Sequence, residues 1–331
     1  MNYVGLDVHK EYCQAAIPDE QGELIGEKRI QTSEQGFKQL ARAIEKGSSI
    51  VMEASCSFYT PYDYFSGRGY EVKVAHPKNV KAIASSKVKT DKIDAKTLAD
   101  LLRADLIPET YVPDKGIRQL RDLLTHRQGL VKMRTETKNR IHAVLTKRGI
   151  RYEFSDLFGK AGWKWLKSLD LNLSGKLEVR QDMEAIKLLD AQIAKVEGGI
   201  YAYEKAFPET RLLQTMPGIG RLISMIMLAE IADINRFPDA KRLASYAGLT
   251  PSVHQSGDVD RHGRITKQGS KMLRTGMIQA AQRAMHRDTK IRRFYLRIRK
   301  RHGENKAKVA VARKMLCWSY IMLKRGEPFA A

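Results

Sequence analysis

Four acidic residues, Asp7, Glu53, Asp91 and Asp94, and one serine, Ser256, stand where they could do chemistry on a phosphodiester. Asp7 closes the apolar run "YVGLD" and Glu53 closes "SIVME", both places where a strand would end. Asp91 and Asp94 open "DKIDAKTLADLLRAD", and their spacing puts them on one face of a helix. Each acid alone has an ordinary explanation, since Asp after a strand makes turns and acids in a first helical turn complement the helix dipole. Brought together, the four carboxylates would repel one another unless a divalent cation neutralised them, and oxygen ligands suit Mg2+ or Mn2+. Two such ions about 4 Å apart can activate an attacking and a leaving oxygen at phosphorus. Ser256 lies in "PSVHQSGDVDRHGR", whose Ser, Gly and Asp have conformational reasons to make a turn. Its hydroxyl needs a base or a metal to become a nucleophile, and the nearby candidate bases are His254 and His262. A small metal site made of His254, Asp258, Asp260 and His262 is the weaker reading, because no rigid element is expected behind that spacing.

For the acids to meet, the first hundred residues must form a sheet with Asp7 beside Glu53. The strings "YVGLDVH", "YCQAAIPD" and "ELIGEKRIQ" read as three meander strands, followed by a helix capped by Ser33, a strand "SIVMEA", a helix "TPYDYFSGRG", a strand "YEVKVAH" and the helix from Asp91. That order is the order of a ribonuclease-H-like sheet, where the first and fourth strands are neighbours. From about Asp114 the pattern changes to long helices, one over 118–145 and one over 177–207. In the second, Val179, Met183, Ile186, Ile193, Ile200 and Tyr203 fall near heptad spacing. An antiparallel pair, a dimerising coiled coil and a helical spacer all fit.

Further on, Pro217-Gly218-Ile219-Gly220 sits between two apolar helical stretches, like a helix-hairpin-helix whose backbone N–H groups hold a phosphate. A plain turn between helices is the ordinary alternative. Residues 248–269 read as a Gly-rich loop, and helices follow over 270–285 and 305–324. The fold class expected is therefore α/β plus all-α, with an acid-bearing domain over 1–112, a helical region over 113–207 and a helical C-terminal domain over 208–331.

The charge is placed unevenly. Residues 241–331 hold 22 lysines and arginines against 5 acids, whereas residues 1–112 hold 15 against 16. A formal charge of +22, concentrated at one end, points to a polyanionic partner. The tract "KIRRFYLRIRKRH" carries Arg292, Arg293 and Arg297 and interleaves cations with Phe294 and Tyr295, which suits phosphate neutralisation combined with stacking on bases. Arg261, Arg264, Lys267 and Lys271 are placed to hold phosphates around Ser256. No apolar run approaches the about 20 residues of a membrane span, and the start has no signal-peptide pattern, so a cytoplasmic protein is expected. Cys13, Cys56 and Cys317 are few and far apart, which argues against a disulfide framework.

"GLDVHK", "MEAS", "KTDKIDAKTLADLLR" and the later "MPGIGRLISMIMLAEIADINRFPDAKRLASYAGLTPSVHQSG" occur in that order along nearly the whole chain. Together they resemble the insertion-sequence transposases of the one-ten family. After the glutamate that family commonly has Ala-Thr-Gly, whereas this chain has Ala54-Ser55-Cys56. The resemblance implies a RuvC-like or ribonuclease-H-like catalytic domain whose Asp-Glu-Asp-Asp set is Asp7, Glu53, Asp91 and Asp94. It also implies a C-terminal domain whose serine, here Ser256, becomes covalently linked to the cut DNA. It implies donor and target DNA and an element-encoded bridge RNA as partners, Mg2+ or Mn2+ as cofactor, and dimers or tetramers joined through the helical middle. In such assemblies acids from one subunit work with the serine of another. Two other functions fit the residues: a junction nuclease using metal-activated water, and a nucleic-acid-binding protein whose acids are structural.

Overall fold

The computed structural model describes residues 3–84, 90–256, 259–286 and 290–330, with the side chains of 254–262 outside that description. The chain divides into two compact units, Met1–Val112 and Pro113–Ala331.

In the first unit, β1 (Tyr3–Val8), β2 (Tyr12–Pro18) and β3 (Leu24–Gln31) form an antiparallel meander, and β4 (Ser49–Glu53) and β5 (Glu71–Ala75) add to β1 in parallel. The strand order is β3-β2-β1-β4-β5, as the alternation of strands and helices in the sequence predicts. Side chains alternate across the sheet. Val4, Leu6, Ile50 and Met52 pack with Phe37 of α1 (Glu34–Ala41) and Phe65 of α2 (Tyr59–Ser66). On the opposite face, Val51 and Ala75 pack with Val80 of α3 (Pro77–Ile83) and with Leu98, Leu101 and Leu102 of α4 (Asp91–Arg103). Helix α3 is absent from the sequence-based expectation. Its Pro at the first helical position is a start signal that a seven-residue stretch "PKNVKAI" gives little periodicity to support.

The second unit begins with α5 (Lys115–Lys147), opened by an Asp114 cap, and α7 (Leu173–Ala202), opened by Asn172. Between them lies α6 (Lys160–Ser168), whose Leu166 joins Ile141, Leu145, Met183 and Ile186 in one core. The ion pairs Arg127–Glu197, Arg134–Asp190 and Arg140–Asp182, each closing to 2.6 Å, step down α7 as they step up α5. The two helices are therefore antiparallel within one chain. The heptad-like positions Val179, Met183, Ile186, Ile193 and Ile200 are buried in that seam, so the periodicity reports an intrachain pair and leaves no free seam for a second copy at these positions.

The rest of the unit is a helical cluster of α8 (Glu209–Gln214), α9 (Arg221–Ile231), α10 (Ala240–Tyr246), α11 (Lys271–Ala284), α12 (Lys290–His302) and α13 (Glu304–Arg325) around one core containing Met227, Leu243, Met277, Val311 and Met315. The segment expected to be a Gly-rich loop contains an antiparallel hairpin, β6 (Pro251–Ser256) with β7 (Val259–Ile265). Its strands are too polar for the apolar alternation that marks strands in a sequence. Among the described residues, no helix is long and apolar enough to cross a membrane.

Candidate active site

Gly5 decides where the acids meet. A Cβ at this position would overlap the carbonyl oxygen of Ala95 and come within 2.7 Å of the Ala99 nitrogen, so α4 lies directly on the backbone of β1. Ala95 and Ala99 are fully buried in that contact. From Gly5, β1 advances two residues to Asp7 on the same face, and α4 steps back from Ala95 to Asp94 and Asp91. Thr90 caps the helix by accepting from the Ile93 N–H at 3.3 Å, which fixes the first turn carrying both acids. Glu53 enters by strand register: Leu6 pairs with Met52 in parallel, and Asp7 and Glu53 are the next residues of their strands. Asp7, Asp91 and Asp94 thus gather where the N-terminus of α4 meets the end of β1, and Glu53 stands one strand across, at the end of β4. Gly5→Ala is expected to push α4 off the sheet, lowering stability by about 2–3 kcal/mol and lowering strand cleavage with it. Denaturant unfolding of the purified variant measures the first effect.

The acids are held by two residues that the sequence reading did not single out. His9 Nε2 lies 3.1 Å from Asp7 Oδ2 and 3.3 Å from Asp91 Oδ1, bridging the two carboxylates. The Tyr12 hydroxyl donates to Asp91 Oδ2 at 2.8 Å, and the Arg29 guanidinium stacks 3.7 Å above the Tyr12 ring. The signal available for His9 was its place two residues beyond Asp7, just past the end of β1 at Val8.

The electrostatics are those of a crowded cradle. Burial pushes the Asp7 carboxyl above the usual aspartate range, the charges of Asp91 and Asp94 push it further, and His9 opposes them. Asp91 is held below its usual range, first by the Tyr12 hydrogen bond and then by His9 and Arg29. Asp94 lies close enough to raise its neighbour's proton affinity, so three of the acids feel one another at the site. Asp7, His9 and Asp91 each turn a ligand atom into a space where all lie within 4.8 Å of one another. The donor set suits a divalent cation, and a cation there would offset the burial and the neighbouring charges that raise Asp7.

The other residues singled out from the sequence lie in the second unit. Ser256 ends β6, its backbone paired with Val259. Gly257 and Asp258 lie outside the described residues, as do the side chains of His254, Ser256, Asp260, Arg261 and His262. Arg264, Lys267 and Lys271 are exposed from the end of the hairpin to the start of α11. Gly218 has φ +88°, and a Cβ there would run into the Ala280 carbonyl of α11. Packing therefore demands glycine at 218 independently of any phosphate. Gly220 caps α9 with open space around it.

In α12, Arg292, Arg293 and Arg297 are exposed, but Phe294 and Tyr295 are not free for bases. Ile291 and Tyr295 are buried in the helical core, with Phe294 and Ile298 packed against it. Ile291, Phe294, Tyr295 and Ile298 follow the helical spacing i, i+3, i+4, i+7 of a core stripe, and the cations occupy the remaining face. Base stacking by these two rings is thus replaced by a basic helix anchored through its aromatics.

A five-stranded mixed sheet of this order, with clustered carboxylates beneath a capped helix, is consistent with a ribonuclease-H-like domain of the DEDD type. The model described as "Transposase IS116/IS110/IS902 family" matches residues 210–296, and a transposase model for the DEDD domain of IS110 elements matches residues 4–149. The chain belongs to the IS110 family of transposases, enzymes that cut and recombine DNA. It is 28% identical to the transposase for insertion sequence element IS1111A of Coxiella burnetii, over 98% of this chain and 90% of that one. It is likewise 28% identical to a pilin gene-inverting protein of Moraxella bovis, over 99% and 97%. A probable family 20 transposase of Pseudomonas aeruginosa is 26% identical over 98% and 97%. The DEDD-type domain implies dependence on a divalent metal.

Proposed function

We propose that this chain is the recombinase of an insertion sequence, cutting and rejoining DNA through a covalent phosphoserine at Ser256 under the guidance of a bridge RNA. The observation that carries the catalytic half is the convergence of Asp7, Asp91 and Asp94 beside Glu53, with the Asp7 carboxyl raised by burial and further by the charges of Asp91 and Asp94. Asp7, Glu53, Asp91 and Asp94 would hold one or two Mg2+ or Mn2+ ions. Such ions supply charge neutralisation at the scissile phosphate and ease loss of a hydroxyl proton.

The serine half follows from bond conservation. The Ser256 Oγ attacks phosphorus, an Oγ–P bond forms, one P–O ester bond breaks, and the departing strand oxygen takes up a proton as the serine gives one up. A strand hydroxyl attacking that ester reverses the exchange, so resealing needs no ATP. The Moraxella relative is named for gene inversion, a rearrangement in which every cut end must be rejoined, and a retained phosphoester meets that need. Acids and serine occupy separate compact units, and the composite arrangement proposed is acids from one subunit with the serine of another in a dimer or tetramer. Incubation with element-end DNA and the RNA that co-purifies, followed by denaturation and peptide mapping, should recover DNA attached at Ser256. Cut DNA with no protein attached would instead mean hydrolysis by water.

The exposed face of α12, together with Arg261, Arg264, Lys267, Lys271 and the α9 start at Gly218–Gly220, is the proposed phosphate-binding surface. Bridge-RNA pairing would select the sequence, leaving these residues to hold backbone and duplex shape. Arg297→Ala is expected to weaken binding to all DNA sequences alike and to reduce the slope of log K against log salt by about 1. A salt titration by fluorescence anisotropy checks this.

A further inference from the structure

We propose that His9 is a nitrogen ligand of the divalent ion held by Asp7 and Asp91, which makes this an N,O,O cradle selective for Mn2+ over Mg2+. The inference rests on the reading of the acids as a metal cradle and goes beyond it. A metal with ligands at about 2.1 Å has adjacent ligand atoms about 3 Å apart. His9 Nε2 lies 3.1 Å from Asp7 Oδ2 and 3.3 Å from Asp91 Oδ1, so the three atoms already have the spacing of neighbouring positions in one coordination sphere.

The surroundings support the placement. Asp91 commits Oδ2 to the Tyr12 hydroxyl, which leaves Oδ1 turned toward His9 and Asp7. That is the supporting hydrogen bond expected of an outer shell around a metal ligand. The His9 backbone is fixed on both sides: its N–H donates to Tyr12 O at 2.9 Å and its carbonyl accepts from Thr32 Oγ1 at 2.9 Å. Its ring rests against Tyr12 at 4.7 Å between centroids. A ring held for packing alone would not need an edge on both carboxylates. The His9 side chain is 41% exposed, so an ion can reach it from solution. Mg2+ is a hard ion that keeps an oxygen shell and dehydrates reluctantly, whereas Mn2+, although the weakest nitrogen binder among the first-row divalent ions, accepts an imidazole more readily than Mg2+, so the nitrogen favours Mn2+ over Mg2+.

The test is Mn2+ binding to the full-length protein, read by pulsed electron paramagnetic resonance for modulation from a coordinated imidazole nitrogen. Wild type is expected to show that modulation and His9→Ala to lose it. His9→Ala is also expected to weaken Mn2+ binding about tenfold while changing Mg2+ binding, measured by competition, by less than about threefold. His9→Asn, which keeps a polar side chain, guards against misfolding and should lack the nitrogen signal too. Bound Mn2+ without a nitrogen signal in wild type, or a signal persisting in His9→Ala, overturns the proposal. Asp7→Asn separates the two readings: if it abolishes Mn2+ binding while wild type shows no nitrogen, the acid cradle stands and the role of His9 falls. If Mn2+ binds Asp7→Asn as it binds wild type, both fall.

Discussion

Asp7→Asn is expected to abolish strand cleavage, by about a thousandfold or more, and at the same time to raise the melting temperature of the metal-free protein by about 2–4 °C. The two effects share a cause. Asp7 is partly buried and faces Asp91 and Asp94, so its proton is held more tightly in the folded chain than in the unfolded one. Stability contributed at this site is present below the ordinary aspartate range and is lost as pH rises through the raised value. At neutral pH the ionised carboxylate therefore costs stability, and asparagine removes the charge while keeping an oxygen for His9. Asp91 behaves in the opposite sense: its lowered value contributes stability above the unfolded range, lost as pH falls through the folded value. Thermal melts of wild type and Asp7→Asn across pH 3–8, with and without added Mn2+, check both halves. A variant less stable than wild type without metal, or still cleaving, would count against a strained cradle kept for function.

How far the site was legible can be followed residue by residue. The grouping of Asp7 with Asp91 and Asp94, and the place of Glu53 one strand across, could be read because strand ends and a helix start have sequence signals and the order of elements makes β1 and β4 neighbours. What makes the three aspartates converge is Gly5, whose missing Cβ lets Ala95 and Ala99 sit on the strand. A glycine in a strand pattern signals close approach without naming what approaches. His9 and Tyr12 were missed for a related reason. Their role depends on a hairpin that folds Tyr12 back beside His9 and on Asp91, which both contact and which arrives on a helix about 80 residues further along the chain. Phe294 and Tyr295 show the converse error: aromatics among cations suggested stacking, but with Ile291 and Ile298 they trace a core stripe. The hairpin β6–β7 was hidden by its polar strands, whose sequence lacks the apolar alternation that marks a strand.

Ser256→Ala is expected to eliminate the covalent protein–DNA adduct and to lower recombination by at least about 10⁴-fold, with DNA and RNA binding retained. Position 256 is the last residue of β6, its backbone paired with Val259, and serine to alanine is expected to change stability by less than about 0.5 kcal/mol, which denaturant unfolding of the variant checks. Loss of activity would then report loss of the hydroxyl and not of the fold. Asp7→Asn and Ser256→Ala should also differ in kind. If both belong to one composite site formed by different subunits, mixing the two inactive proteins restores active sites that pair an intact acid cradle with an intact serine. Random mixing in dimers gives about half of the molecules one intact site each, so a single strand exchange should recover to roughly a quarter of the wild-type site count. Acids and serine acting within one subunit would leave every site in such a mixture defective, and recovery would be absent. Recombination of a labelled substrate by the mixture, with each single variant alongside, therefore tests the nucleophile and the subunit arrangement together, while adduct formation by Ser256→Ala alone would remove this serine from the chemistry.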